Sequence, residues 1–302
     1  MSTMIDRILR EMGTPDLLDR MMALSGADRN SLLLEMFERQ TSRLTPAEVL
    51  KAYECSRFAA PAAADPVKYH DLENLFLSAA QREGVETLLL SPCAPLGSCS
   101  SFGCVSQNNV VSSLRGTETL PDPTNMLAII MAERIRREGT EDALHFASTA
   151  RVVRAQRLPR KDLLSHFGLF CMVPSGCAVS SYGCETALLI KQLSFYHRLV
   201  REHFHGSLSM TLRRRGGYPD SEGFFAIMKD DVCREFPDTE ITFEENQADN
   251  HYYQGLNFKL YMECDGVRME IGDGGFVDWL SRMTGIRKRR CLISGVGLER
   301  LM

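Results

Sequence analysis

The side chains of this sequence most open to chemistry are its thiols and its guanidiniums. Ten cysteines are present, and six of them fall into two groups, Cys93, Cys99 and Cys104, then Cys171, Cys177 and Cys184. Neither group has the paired two-residue spacing of a structural zinc site. The opening MSTMIDRILREMG lacks the apolar core of a secretory signal. The thiols therefore read as reduced packing residues that behave as small hydrophobes. Guanidinium is the side chain that meets phosphate best, through planar, charge-assisted contacts, but single arginines also have plain readings. Arg154 on a strand can simply lie exposed on a sheet face. Arg300 can complement the dipole at the end of a closing helix.

The elements that must position such residues follow from pattern. The chain has 302 residues, 44% hydrophobic and 25% charged, enough for a substantial core in one large domain or two modest ones. Its formal net charge is −4 with no long Lys/Arg block, which gives no sign of a nucleic-acid-coating surface. No apolar run approaches the roughly 18 residues that would cross a membrane, so a cytoplasmic protein with no membrane partner is expected. Residues 1 to 66 read as a helical extension and linker. Leu32, Leu33, Leu34 and Phe37 supply an apolar face, Thr45-Pro46-Ala47-Glu48 is a capping box, and AAPAAADP is the connection. From Asp71, the positions of Leu72, Leu75, Phe76, Ala79 and Ala80 predict a helix ending near Gly84, then a strand in VETLLLSP. Asp122-Pro123 caps a second helix. Strands are predicted in ALHFASTARVVRAQ and HFGLFCMV, a long helix from about Cys184 to His205, and further strands in TEITFEEN, GLNFKLYMEC and VRMEIG around an Asp265-Gly266 turn. Strands joined by hairpins, with helices inserted between groups of them, argue an antiparallel sheet in an α+β domain spanning residues 67 to 302.

The closing third resembles histidyl-tRNA synthetase and its relative, the regulatory subunit of ATP phosphoribosyltransferase. HYYQGLNFKLY (251 to 261) is similar to the family's Arg-Gly-Leu-Asp-Tyr-Tyr-Thr-Gly segment and the strand it enters. GDGGFVDWL (272 to 280) is similar to its Gly-Gly-Arg-Tyr-Asp turn, and SGVGLERLM (294 to 302) to its Gly-Leu-Glu-Arg helix. VVRAQRLPRKDLLSHFGLF (152 to 170) resembles class II motif 2, and the helix and strand ending at Pro92 resemble motif 1, which builds a dimer interface. The resemblance covers about residues 67 to 302 and implies a class II aminoacyl-tRNA synthetase-type antiparallel sheet flanked by helices, here without an anticodon-binding domain.

That likeness implies adenylate chemistry, in which a carboxylate attacks the α-phosphate of ATP with Mg²⁺ as cofactor. Arg154 falls at the motif 2 arginine that meets the α-phosphate and Arg300 at the motif 3 arginine that meets the γ-phosphate. Phe167 falls where the family stacks a ring on adenine. Arg157, Arg160 and Lys161 are candidates for the far phosphates. Gln156 stands where the motif 2 acid would be and keeps an acceptor for the adenine amino group. Glu270 precedes Gly272 and Gly274-Gly275 much as a Mg²⁺-coordinating glutamate precedes glycines in other class II enzymes; taken alone, it is a glutamate alternating outward from a strand. The substrate pocket is expected to draw on Arg115, Thr117, Thr119, Tyr252, Tyr253, Gly274, Gly275 and Asp278.

The departures from the family shape the functional expectation. Its histidine-specific arginine falls at about Ala248, Leu169 and Val173 are apolar where it binds the substrate nitrogens, and Phe276-Val277 replace Arg-Tyr. Thr117 stands where the acid of Leu-Arg-Pro-Glu-Gly-Thr would be, with Glu118 beside it. An unpaired buried polar group costs about 1–3 kcal/mol, so histidine is a poor substrate for this pocket. The expected function is ATP-dependent activation of a small, less polar amino or carboxylic acid by a homodimer, with the acyl group passing to a carrier protein, a small amine or a tRNA end. The alternative is an inactive regulatory or binding subunit with an enzyme partner.

Overall fold

The computed structural model describes residues 3–157, 165–245, 252–264 and 266–302. Four short helices lead: α1 (Met4–Glu11), α2 (Leu17–Ala23), α3 (Gly26–Thr41) and α4 (Pro46–Cys55). Thr3 and Thr45 close capping boxes on α1 and α4, satisfying amides that a helix start leaves orphaned. From Thr3 to Ala60 the one buried residue is Leu9. Next comes α5 (Pro66–Arg82), which begins earlier than the expected Asp71 because Asp65 accepts from the Val67 and Lys68 amides and Pro66 fills the first helical position.

The chain continues through β1 (Glu86–Thr87), β2 (Cys93–Pro95), β3 (Thr117–Thr119), α6 (Pro123–Glu138), β4 (Leu144–Val153), β5 (His166–Cys177) and α7 (Gly183–His203). It closes with β6 (Ser207–Arg214), α8 (Ser221–Glu235), β7 (Ile241–Glu244), β8 (Gln254–Cys264), β9 (Val267–Val277), α9 (Trp279–Thr284), β10 (Arg289–Gly297) and a 3₁₀ turn at Leu298–Leu301. Among the described residues the main sheet has the order β1-β4-β5-β10-β9-β8-β6-β7. Its interior is antiparallel, as expected, but both edges are parallel, β1 to β4 and β6 to β7. Parallel neighbours need a crossover, and α8 supplies one between β6 and β7. The expected VETLLLSP strand shrinks to β1. Leu88 N–H still bonds Ala147 O at 2.9 Å, but Leu89 is 99% exposed and Pro92 has no N–H to give.

Alternation along β5 divides the core. Phe170 and Met172 join a cluster with α5, α7 and α8, while Leu169, Cys171 and Val173 join another with α6 and α9. Trp279 is fully buried in the second cluster and meets Phe102 and Tyr252 edge-on, with ring centroids 5.2 and 5.7 Å away. Helix α7 is fastened to β10 by Gln192 and Tyr196, both of which reach the Ser294 hydroxyl, Tyr196 at 2.6 Å. Among the described residues no helix is long and apolar enough to cross a membrane.

Close strand contact demands glycine at two positions of β9. A Cβ on Gly274 would come within 2.4 Å of Ile293 O and 2.5 Å of the Phe258 ring. One on Gly275 would come within 2.5 Å of the Tyr253 ring. The backbone oxygen cannot move aside without breaking the sheet. Gly274→Ala is expected to lower stability by about 1–3 kcal/mol, read as a reduced urea midpoint; an unchanged midpoint would show that the strands can part without cost.

Candidate functional site

A cavity of about 690 Å³ opens on the sheet face that carries α6. Its inner wall is Leu169, Cys171, Gly272 and Ile293, all buried, and its rim includes the exposed Arg300 and Met302. Three stretches far apart in sequence bring the polar groups together. The end of β4 and the start of β5 present Arg154, Gln156, His166 and Phe167; the start of α6 presents Asp122 and Thr124; β9 presents Glu270 and Asp273. Tyr252 and Tyr253 add two recessed phenols, and Ala62, Ala63 and Ala64 line another side.

Arg154 is held from several directions. Its Nε donates to Pro121 O at 3.0 Å, its Nη2 lies 3.4 Å from Asp122 Oδ2, and its guanidinium sits 5.1 Å from the Phe167 ring centroid. Asp122 is also the N-cap of α6, where its Oδ1 accepts from the Thr124 amide at 2.9 Å and hydroxyl at 2.8 Å. At the rim, Arg300 Nη1 donates to Glu270 O at 2.6 Å. The Glu270 carboxylate accepts from Lys259 Nζ at 2.6 Å, so an ammonium already stands where a metal ion bound to this glutamate would. Glu299 accepts from the Gly168 amide at 2.8 Å and from Arg151 at 2.9 Å. Among the described residues no three His, Cys, Asp or Glu side chains gather as a metal-holding group.

Asp273 differs from these three acids. Burial, then the nearby carboxylates of Asp122 and Glu270, raise its pKa above the ordinary 3.8, against the opposing pull of Lys259 and Arg154. The hydrogen bond it accepts, from the Tyr253 hydroxyl, is long at 3.4 Å. Burial also raises both tyrosines far above the usual phenol value, and Cys171 far above the usual thiol value, so no thiolate nucleophile is available there.

Of the residues singled out from sequence, Arg154, Gln156, Phe167, Glu270, Arg300, Tyr252 and Tyr253 surround this cavity. Arg115, Thr117, Thr119, Gly274, Gly275 and Asp278 are not among its described lining. The Arg115 amide donates to Asn30, while the Thr117 and Thr119 hydroxyls return to Leu114 O and Val111 O at 2.8 and 2.9 Å. Asp278 starts α9 and faces Arg282 at 3.6 Å. Glu118 is fully buried elsewhere, binding the Gly97 and Cys99 amides and Gln107. Arg160, Lys161, Ala248, His251 and Asp265 lie outside the described residues. Sequence reasoning missed Thr124, His166 and Asp273 and took Asp122 for a helix cap alone. A carboxylate between two glycines, as in Gly272-Asp273-Gly274, was the available signal for a bare strand carrying one charge.

No protein-family model matches the chain, and no curated protein matches it. Solved structures do. An ATP phosphoribosyltransferase regulatory subunit/histidyl-tRNA synthetase from Bacillus halodurans C superposes with a TM-score of 0.63 at 11% identity, covering 81% of this chain and 81% of that one. The apo histidyl-tRNA synthetase of S. aureus gives 0.61 at 13% identity, over 81% of this chain and 67% of that one. The RNA binding domain of threonyl-tRNA synthetase from Cryptosporidium parvum Iowa II gives 0.62 at 10% identity, over 78% and 62%. These likenesses establish the fold, a class II synthetase-like α+β architecture.

The raised pKa of Asp273 carries a stability consequence. A carboxylate that binds its proton more tightly when folded adds least to stability once ionised, so the folded state loses ground as pH rises from 3.8 through the raised value. Asp273→Asn is therefore expected to melt higher than the unmodified chain near pH 7, with the gap closing below about pH 4. A variant that melts lower at neutral pH would mean that the Asp273 charge is already compensated.

Proposed function

We propose that the protein activates a small amino or carboxylic acid with ATP, forming an acyl adenylate and releasing pyrophosphate. The observation that carries this reading is the convergence of Arg154, Phe167, Glu270 and Arg300 on one open cavity. A substrate carboxylate oxygen bonds to the α-phosphorus while the bond from that phosphorus to the bridging oxygen breaks, and pyrophosphate leaves. Arg154 supplies a fixed donor for charge developing on the α-phosphate, a role in which one well-placed hydrogen bond is worth about 10²–10³ in rate. To reach phosphate it must share or leave Asp122. Phe167 offers a ring face for the purine and Gln156 an acceptor beside it. Arg300, at the exposed rim, suits the terminal phosphate.

Glu270 does not fit the expected Mg²⁺ ligand, because its carboxylate is bound to Lys259 and its carbonyl to Arg300. Neutralisation of the phosphates rests on the arginines, with any divalent cation entering on the nucleotide. The same internal pairing, Arg154 with Asp122 and Lys259 with Glu270, favours a second reading, a regulatory protein that binds ligand in this cavity without chemistry.

Titration of ATP with and without Mg²⁺, followed by ATP–pyrophosphate exchange over a panel of small acids, separates the two. Exchange stimulated by one class of acid is the expected result, and Arg154→Ala and Arg300→Ala should each lower it by about 10²–10³-fold while cooperative unfolding is retained. Nucleotide binding with no exchange for any acid would leave the regulatory reading standing, and full exchange in either variant would remove that arginine from the site. The proposal includes a homodimer through α5 and β1, for which light scattering at micromolar concentration should give twice the chain mass; a single mass would remove it.

A further inference from the structure

With the adenylation reading as its basis, the cavity also shows an uneven distribution of charge. Three of its four lining carboxylates have a cationic partner: Asp122 has Arg154, Glu270 has Lys259 and Glu299 has Arg151. Asp273, among the described residues, has no ion pair, and it accepts a long hydrogen bond from the Tyr253 hydroxyl at 3.4 Å. On the other side of the balance, Arg300 at the rim donates to a neutral carbonyl and has no carboxylate partner among the described residues. The cavity is thus bipolar, with an uncompensated anion inside and an uncompensated cation at the exposed edge. The inner wall includes the apolar or bare Leu169, Cys171, Gly272 and Ile293, and Lys259, the cross-strand partner of Asp273 in β8, places its ammonium on Glu270 at 2.6 Å instead.

We infer that Asp273 is a specificity residue which binds a protonated amine of the substrate, so that the acid activated here carries a cationic nitrogen and amine-free carboxylic acids are rejected. An ammonium placed against Asp273 forms a charge-assisted bond on the inner wall of the cavity, and it ends the penalty of holding an ionised carboxylate beside Asp122 and Glu270. Arg300 remains for an anionic group at the rim, so a ligand laid across the cavity is cationic inside and anionic outside. This narrows the small, less polar amino or carboxylic acid expected from sequence to the amine-bearing ones, since Leu169 and Val173 were visible there but the orientation of Asp273 was not. The nitrogen has two possible sources, the α-amine of an amino acid or a more distant amine.

Calorimetry with the full chain tests the inference, using L-alanine, 4-aminobutyrate and the amine-free acids propionate and butyrate, each with ATP present, on the unmodified protein, Asp273→Asn and Asp273→Glu. At least one amine-bearing acid should bind roughly tenfold or more tightly than its amine-free counterpart, the gap should collapse in Asp273→Asn and it should persist in part in Asp273→Glu. Preference for L-alanine identifies the α-amine as the source, and preference for 4-aminobutyrate the distant one. Equal binding of amine-bearing and amine-free acids, a gap that survives in Asp273→Asn, or no binding of any amine would each overturn the proposal. The two readings fail separately. Amine binding without pyrophosphate exchange removes the adenylation and keeps the subsite, whereas exchange with propionate in preference to L-alanine keeps the adenylation and removes the subsite.

Discussion

Close backbone contact between the central strands is the constraint on which the rest of this structure depends. Where β9 passes β10, a side chain at Gly272 would lie 2.3 Å from Gly295 O, and one at Gly274 would lie 2.4 Å from Ile293 O. The strands can lie this near only because these residues have no Cβ. Their missing Cβ atoms would point to the α7 side, toward Phe258, Val296 and Ser294. On the other side lies the hollow of about 690 Å³, lined in part by Gly295, where a Cβ would meet only Cys171 Sγ, at 3.4 Å. Behind it, Gln192 and Tyr196 of α7 both reach the Ser294 hydroxyl. Cavity and core are two sides of one sheet.

Charge is distributed over that surface with little waste. Arg154 is fixed by a carbonyl, a carboxylate and an aromatic face at once, an arrangement that limits rotamer loss when a phosphate arrives. Glu299 holds the start of β5 through the Gly168 amide, which places Phe167 beside Arg154. Most acids here position other groups and leave Asp273 to face the cavity without an ion pair among the described residues.

Local chemistry was legible in the sequence and long-range facing was not. Asp122-Pro123 and the Thr45 capping box announced their helices, because a cap needs only the next three residues. The apolar run HFGLFCMV likewise announced β5 from its own residues. That Asp122 also meets Arg154 depends on a partner more than thirty residues away in the chain, for which no spacing rule exists. The strand predicted in VRMEIG held Glu270 but stopped short of Asp273, and no pattern told which sheet face looked into a hollow, since facing is set by packing against α6 and α7. The segment LRGTET illustrates the converse. Its residue types resemble a substrate-binding motif, yet β3 pairs with β2 in a separate small sheet, and the threonine hydroxyls are spent on nearby carbonyls.

The stretch that joins α4 to α5 has a kinetic meaning. Arg57 donates to Ala155 O and Gln156 O at 2.7 and 2.9 Å, and His166 meets Ala60 O at 2.6 Å. The next residues, Ala62 to Ala64, line the cavity. Three bonds, each worth about 1 kcal/mol net, favour the docked linker by roughly two orders of magnitude. A molecule whose passage required this linker to undock would inherit that factor in its rate constant, through a peptide that touches no reacting atom.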